Sequence, residues 1–206
     1  MFDASEKSYL PAGIAALIFS VLFPSYWLWF MSSGLYLDFG AQPPSRLGLD
    51  YFIWLILGLL TLYVYLCLKS ALMERHTYSK LTWPIYLAIG STAFVYGGPA
   101  LVELGLVMLS GAMSDSSMKA LLGVITAMFF GGMVIQGVVD ILISITLLWD
   151  SQDLPDALRI FAIVTLISGV FGVTVIAGIA TLITVPISML VLAFYFLRHP
   201  QAIEVV

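Results

Sequence analysis

Two carboxylates and one amide in otherwise apolar stretches are the residues of this chain best suited to chemistry. Asp140 and Glu103 each interrupt a long apolar run, and Gln136 precedes Asp140 by four residues. Residues four apart share one face of a helix, so Gln136 is predicted to hydrogen-bond with Asp140. A carboxylate inside a bilayer is costly when charged and typically marks a proton or cation site. The candidate intramembrane polar residues are therefore Asp140, Gln136 and Glu103.

The two carboxylates are not predicted to form a paired site. Glu103 is placed about 10 Å from the outer end of its helix, and Asp140 about 14 Å from the inner end of its own. The alternative interpretation of each is structural: a protonated carboxyl bonded to a neighbouring helix, or a side chain that reaches the headgroups.

A candidate helix break lies at Gly97, Gly98 and Pro99, four residues before Glu103. Proline removes a backbone donor and clashes with the preceding turn, while the two glycines lower the cost of a bend. Transporters use broken helices to expose backbone groups to substrate. The alternative is an ordinary proline kink, which membrane helices tolerate.

Small residues at helical spacing predict close helix packing at Gly132, Ser168, Gly172 and Gly178. Small side chains let two helix backbones approach within a bilayer, where the hydrophobic effect does not drive helices together. The spacing leaves open whether the partner is another span of this chain, a second copy or another membrane protein.

No catalytic residue, metal site or cofactor is predicted. His76 and His199 are both placed outside the predicted spans, and the chain contains no HExxH, GxSxG, P-loop or GxGxxG motif. Asp150, Asp153 and Asp156 do not match a calcium-binding loop, and we interpret them as a solvated helix start. The net charge of -4 is spread over short loops, which excludes the basic stripe of a nucleic-acid-binding protein.

Composition places the chain in a lipid bilayer. Of its 206 residues, 61% are hydrophobic and only 10% are charged, whereas a soluble domain is about half apolar and a quarter charged. We therefore predict an all-α, polytopic transmembrane bundle that forms a single domain over residues 1–206. The six predicted spans are 9–31, 51–68, 81–109, 120–149, 160–177 and 179–197.

The division of residues 160–197 into two spans rests on length. These 38 residues contain no charge, and as one helix they would measure about 57 Å, nearly twice the hydrocarbon core. A hairpin that turns near Ala177 and Gly178 is the predicted solution, because glycine permits the reversal.

The positive charges orient the predicted spans. One side receives six Lys and Arg residues (Lys7, Lys69, Arg75, Lys80, Arg159, Arg198), and the other receives only Arg46 and Lys119. Positive loops stay in the cytoplasm, so both termini are predicted there. The five Trp residues are predicted near span ends, where indole rings suit the headgroups. The absence of N-glycosylation sequons suits a bacterial inner membrane.

Three functional hypotheses remain from the sequence. Few polar residues and no soluble domain favour a non-catalytic membrane subunit, assembly factor or scaffold. A small-solute or proton-coupled transporter that uses Asp140 or Glu103 is the alternative. A membrane-embedded enzyme acting on lipid is the third hypothesis, and its catalytic groups would come from loop residues such as Glu74, His76 and Asp153.

Overall fold

Every described element of the chain is helical. The computed structural model of the protein describes residues 9–32, 48–109, 114–149, 154–174 and 178–198, and no strand occurs among them. The helices are α1 (Leu10–Ser32), α2 (Leu49–His76), α3 (Thr82–Thr92), α4 (Gly98–Leu109), α5 (Asp115–Trp149), α6 (Asp156–Val173) and α7 (Gly178–Leu197). A π-helical turn, Ala93–Gly97, joins α3 to α4 as one span. Helices satisfy every backbone donor and acceptor within the segment, as a bilayer requires.

Six helical segments of the described chain are long and apolar enough to cross a membrane, which confirms the predicted all-helical, six-span fold class. The hairpin predicted within 160–197 is present, since α6 ends at Val173 and α7 begins at Gly178. Of the predicted turn residues, Ala177 lies outside the described residues. The cytoplasmic orientation of both termini stays a prediction.

The second span continues well beyond the predicted end at residue 68. Helix α2 extends to His76, and Thr77 ends it in a left-handed conformation with φ of 51°. Lys69, Glu74 and Arg75 are good helix formers, so the polar residues after the apolar run continue the helix. Loss of hydropathy marks the membrane boundary and not the helix end.

The six spans form a closed ring. Each span packs against its neighbours in the sequence, and α7 packs against α1 to complete the circle. Successive spans run in opposite directions, so the start of α1 and the ends of α2, α5 and α7 lie together. We call this the proximal end, and the opposite end of the bundle the distal end.

Buried apolar side chains concentrate in the proximal half of the ring. Fully or almost fully buried residues there include Ala12, Leu68, Ala71, Leu72, Leu81, Ile85, Leu147, Leu158, Phe161, Leu192 and Ala193. They fill the centre of the bundle from all six spans. The proximal half is therefore a packed core, and the space between the helices lies further towards the distal end.

The outer surface of the ring is apolar. Large exposed side chains occur on every span, among them Leu28, Leu59, Leu101, Ile163, Ile183 and Phe194. A contiguous apolar surface of this extent is covered by lipid in a membrane protein. Trp83 and Trp149 are 77% and 84% exposed near the proximal end, a position that suits rings at the headgroup level.

Candidate functional site

A cavity of about 280 Å³ lies inside the ring and is lined by all six spans. Most of its lining is aromatic or aliphatic. The polar lining residues are Thr61, Tyr65, Thr92, Tyr96, Gln136, Asp140, Thr165, Ser168, Thr181 and Ser188. An apolar cavity with a few convergent polar groups is the usual form of a small-molecule site, and this volume lies just below the range of about 300–1,000 Å³ for such sites.

Asp140 is the acidic centre of the cavity and is only 7% exposed. Gln136 donates from Nε2 to Asp140 Oδ1 at 3.0 Å. Ser91 on α3 donates from Oγ to Gln136 Oε1 at 2.7 Å. These two hydrogen bonds fix the orientation of the Gln136 amide, because its NH₂ group faces the carboxylate and its carbonyl oxygen faces the hydroxyl donor. The chain of hydrogen bonds connects α5 to α3 and holds the carboxylate in one orientation.

Two hydroxyl groups that line the same cavity as Asp140 are buried without a hydrogen-bond partner among the described residues. Thr92 Oγ1 and Thr165 Oγ1 are both in this state, although their side chains are 1% and 3% exposed and line the cavity. A threonine in a helix can bond its own backbone four residues back, but these two do not. Each unmade bond costs about 1–3 kcal/mol, so a polar ligand that bonded them would regain that energy.

The polar groups converge at one depth. Asp140, Thr165 and Ser188 lie nine residues from the proximal ends of their helices, which corresponds to about 14 Å. Thr92 lies at a similar distance from the start of α3, beside the Ser91 that bonds Gln136. We call Thr92, Gln136, Asp140, Thr165 and Ser188 the polar floor. The sequence distributes these residues over four spans, and the ring brings them together.

Aromatic rings surround the cavity distal to the polar floor. The rings of Trp54 and Tyr96 are tilted relative to each other, with centroids 4.6 Å apart. The Trp27 ring centroid lies 6.0 Å from that of Phe129 and 6.3 Å from that of Trp54. We call Trp27, Trp54, Tyr96 and Phe129 the aromatic collar. Phe129 precedes Asp140 by eleven residues on α5, so this member of the collar lies about 16 Å from Asp140 along the helix axis.

The collar changes the interpretation of two tryptophans. Trp27 and Trp54 were predicted in the headgroup region with the other Trp residues, but both line the cavity. The indole Nε1 of Trp27 is buried and has no hydrogen-bond partner among the described residues. Their positions near span ends are compatible with either role, because position along a helix does not determine which way a side chain faces.

Gly58 on α2 makes room for the collar. A Cβ atom at this position would lie 2.6 Å from Tyr96 Cβ. A change of the Tyr96 rotamer cannot relieve this clash, because a Cβ atom is fixed by the backbone of its own residue. We expect Gly58→Ala to displace Tyr96 from Trp54 and lower the free energy of unfolding by about 1–3 kcal/mol. Thermal unfolding in detergent measures the loss.

Gly90→Ala on α3 is the matched control, because nothing lies within 4 Å of a Cβ there. This substitution should leave the protein unchanged or stabilise it by up to about 1 kcal/mol through helix propensity. Equal unfolding temperatures for the two variants would contradict the proposed contact.

Polar and aromatic contacts close the proximal end. The Tyr9 hydroxyl donates to Glu74 at 2.7 Å, and the Arg75 guanidinium lies 4.8 Å from the Tyr9 ring centroid. His76 Nε2 is 3.2 Å from the Tyr195 hydroxyl. These contacts tie α2 to α7 and to Tyr9, at the start of α1, across the ring opening. The proximal end of the cavity is therefore sealed by specific contacts as well as by the packed core.

The structure separates Glu103 from Asp140. Glu103 is half-buried on α4 and is not a lining residue of the cavity, so the candidate residues divide into Asp140 with Gln136 and an isolated Glu103. Gly97 ends the π-helical turn, and Gly98 and Pro99 begin α4. Proline lacks the N–H that a regular α-helix needs at that point, and the wider turn accommodates its absence.

The four small residues lie at helix contacts or helix starts. A Cβ on Gly132 would lie 2.8 Å from Val95, and one on Gly172 would lie 3.3 Å from Gly137 Cα. Ser168 is buried and lines the cavity, while Gly178 begins α7. The contacts of Gly132 and Gly172 are with other spans of the same chain.

Sequence reasoning did not find the aromatic collar or the unpaired hydroxyls. One signal was present: Phe19, Phe23, Trp27 and Met31 recur at intervals of four on α1, and all four line the cavity. Such a stripe shares one helix face. Thr92 and Thr165 carry no comparable signal, because an isolated threonine in an apolar run usually bonds its own helix.

The chain was compared with protein-family models, curated proteins and solved structures, and none of them matches it.

Proposed function

We propose that the protein is a small-solute carrier of the lipid bilayer, which binds its solute in the central cavity against Asp140. The observation that carries the proposal is a buried carboxylate on the floor of a cavity enclosed by six spans. A purely packing role leaves this carboxyl group facing the cavity without a charged partner among the described residues. A solute or a proton that enters the cavity supplies that partner, as intramembrane carboxylates in transport pathways require.

The shape of the cavity supports a carrier with access from one side. Met31, Gly172 and Ile179 line it within about one turn of the distal ends of their helices. Towards the proximal end, the core and the Tyr9 contacts fill the ring below the polar floor. Among the described residues, the cavity reaches the distal helix ends and is closed at the proximal end, which is the expected geometry of one state of an alternating-access carrier.

The hypothesis of a non-catalytic subunit or scaffold explains the apolar outer surface but not the cavity or its unpaired hydroxyls. A second copy or another membrane protein stays a predicted partner of that surface. The lipid-enzyme hypothesis is weakened, because Glu74 and His76 bond to Tyr9 and Tyr195 in the contacts that close the proximal end. Asp153 lies outside the described residues.

The positive charges give the proposed carrier an orientation. Lys69, Arg75 and Arg159 lie near the proximal end, so the proximal end is proposed to face the cytoplasm. The distal end of the cavity is then proposed to face the outside. A bacterial inner membrane is the proposed location.

Thiol labelling of a cavity residue tests the carrier proposal without knowledge of the solute. Cys67→Ser first removes the chain's one cysteine, and Ser168→Cys then places a thiol in the cavity with little change in size. Thiols react as thiolates, which form only where water has access. We expect a membrane-impermeant thiol reagent to label this variant from the distal side quickly and from the proximal side slowly, as the carrier changes state.

Ile167→Cys is the matched control on the same helix, because Ile167 is exposed on the outer, lipid-facing surface. This variant should stay unlabelled from both sides. Labelling of Ser168→Cys from one side only would contradict a carrier and favour a receptor or subunit. No labelling from either side would show a sealed cavity and favour the scaffold.

A further inference from the structure

We infer that the ligand of the cavity is a small primary or secondary amine, bound as its ammonium cation between Asp140 and the threonine hydroxyls of the polar floor. The inference rests on the proposed carrier function and names the substrate class of the same site. Three features of the cavity carry it: the sign of its charge, the nature of its walls and the hydrogen bonds that its floor leaves unmade.

Among its described lining residues, the cavity has one acidic group and no basic group to balance it. Asp140 is the only carboxylate in the described lining, and no Lys, Arg or His side chain lines the cavity in that part of the chain. Gln136 supplies a neutral donor, which does not balance a charge. An unpaired buried carboxylate is strongly unfavourable, so a cationic ligand gains a charge partner and an anionic ligand is repelled.

The walls of the cavity also favour a cation with an apolar body. Phe19 and Tyr65 line the cavity at about the depth of the polar floor, nine and eleven residues from the proximal ends of α1 and α2. Aromatic faces attract ammonium groups through their quadrupoles and attract apolar groups through dispersion, and both effects increase when water is excluded. A strongly hydrated inorganic cation gains little from such walls, and a hard metal ion requires more oxygen ligands than one carboxylate.

The floor distinguishes between classes of amine. The hydroxyl oxygens of Thr92 and Thr165 are buried and have no partner among the described residues, and both lie at about the depth of Asp140. A primary or secondary ammonium group has at least two N–H donors, which satisfies the carboxylate and a hydroxyl together. A quaternary ammonium has no N–H donor and would leave both hydroxyls unpaired. Only an ammonium group with at least two N–H donors can therefore bond the carboxylate and a threonine hydroxyl together.

Protection of the Ser168→Cys thiol measures binding directly. The probe is 2-phenylethylamine, added to the full-length Cys67→Ser, Ser168→Cys protein in lipid vesicles during labelling. We expect the amine to slow labelling in a concentration-dependent manner. The neutral analogue 2-phenylethanol and the trimethylated quaternary analogue should each require at least about 10-fold higher concentrations for half-protection, because each lacks one of the two recognition elements.

Two further substitutions separate ligand recognition from folding. Asp140→Asn should raise the half-protecting amine concentration by about 30-fold or more, as loss of one member of a buried charge pair does. Thr165→Val should raise it by about 10-fold while increasing the unfolding temperature, because it removes an unsatisfied buried hydroxyl. A residue with only a structural role would not combine weaker amine binding with a higher unfolding temperature when it is replaced. Glu103→Gln, which lies outside the cavity, is the control.

The outcomes distinguish the two proposals. Equal protection by the amine and the alcohol, or unchanged protection in Asp140→Asn, would overturn the amine inference. If the thiol is labelled from both sides but the amine gives no protection, the carrier proposal stands and the amine inference fails. If the thiol is labelled from neither side, the carrier proposal fails and the inference fails with it.

Discussion

Replacing Gly137 with alanine is expected to destabilise the bundle more than replacing Gly58 with alanine does. The contact between α5 and α6 is more extensive than that of any other described helix pair. A Cβ on Gly137 would lie 2.7 Å from the carbonyl oxygen of Gly169 and 2.8 Å from the nitrogen of Val173. Both atoms belong to the backbone, so the helices must separate. We expect a loss of about 3 kcal/mol in the free energy of unfolding.

The loss is measured by thermal unfolding in one detergent, followed as the decrease of the folded gel-filtration peak. Gly131→Ala is the matched control, because it lies on the same helix and has nothing within 4 Å of its Cβ. Gly169→Ala should reproduce the effect from the other side, since its Cβ would lie 2.7 Å from Gly137 O. If Gly137→Ala is as stable as Gly131→Ala, the close approach of α5 and α6 is wrong.

Replacing Asp140 with asparagine is expected to abolish transport while the amount of folded protein stays unchanged. Asparagine keeps an oxygen that can accept the Gln136 hydrogen bond, but it cannot carry the charge that the cavity offers to a cation. Uptake of labelled 2-phenylethylamine into proteoliposomes should fall to background. Folded yield, measured by gel filtration, should match that of the unsubstituted protein.

Asp140→Ala separates the structural contribution of this residue from its role in the cavity. Alanine leaves the half-buried Gln136 amide without its acceptor, which costs about 1 kcal/mol, so this variant should lose both transport and stability. Glu103→Gln should retain transport. Equal losses of folded protein and transport in Asp140→Asn would indicate that the carboxylate is structural and would contradict the carrier.

The hairpin of α6 and α7 could be predicted from the sequence alone. A run of 38 uncharged residues is too long for one crossing, and a glycine lies where the chain can reverse. The same arithmetic of length and hydropathy predicts the other spans. The bond between Gln136 and Asp140 is equally local, because four residues make one turn of a helix regardless of what surrounds it.

The end of α2 is not predicted by length and hydropathy. The predicted span ends at residue 68, whereas the helix continues to His76 and brings Glu74 and Arg75 to the proximal seal. Hydropathy reports the depth of the membrane, while helix length depends on propensity and on the tertiary contacts of the charged turns. The contacts that close the proximal end join Tyr9 to Glu74, 65 positions apart, and His76 to Tyr195, 119 positions apart. No local sequence pattern encodes such contacts.

The sequence by itself determined that this protein is a bundle of six membrane helices and that a carboxylate and an amide share one face of α5. Only the tertiary structure decided that the helices close into a ring, that Ser91 reaches Gln136, and that Trp27 and Trp54 turn inwards with the hydroxyls of Thr92 and Thr165. The physical reason lies in the solvent. In water, the apolar face of a helix identifies its buried side, but lipid and the protein interior are both apolar. The rotation of each helix is therefore set by packing, and packing determines which residues meet in the cavity.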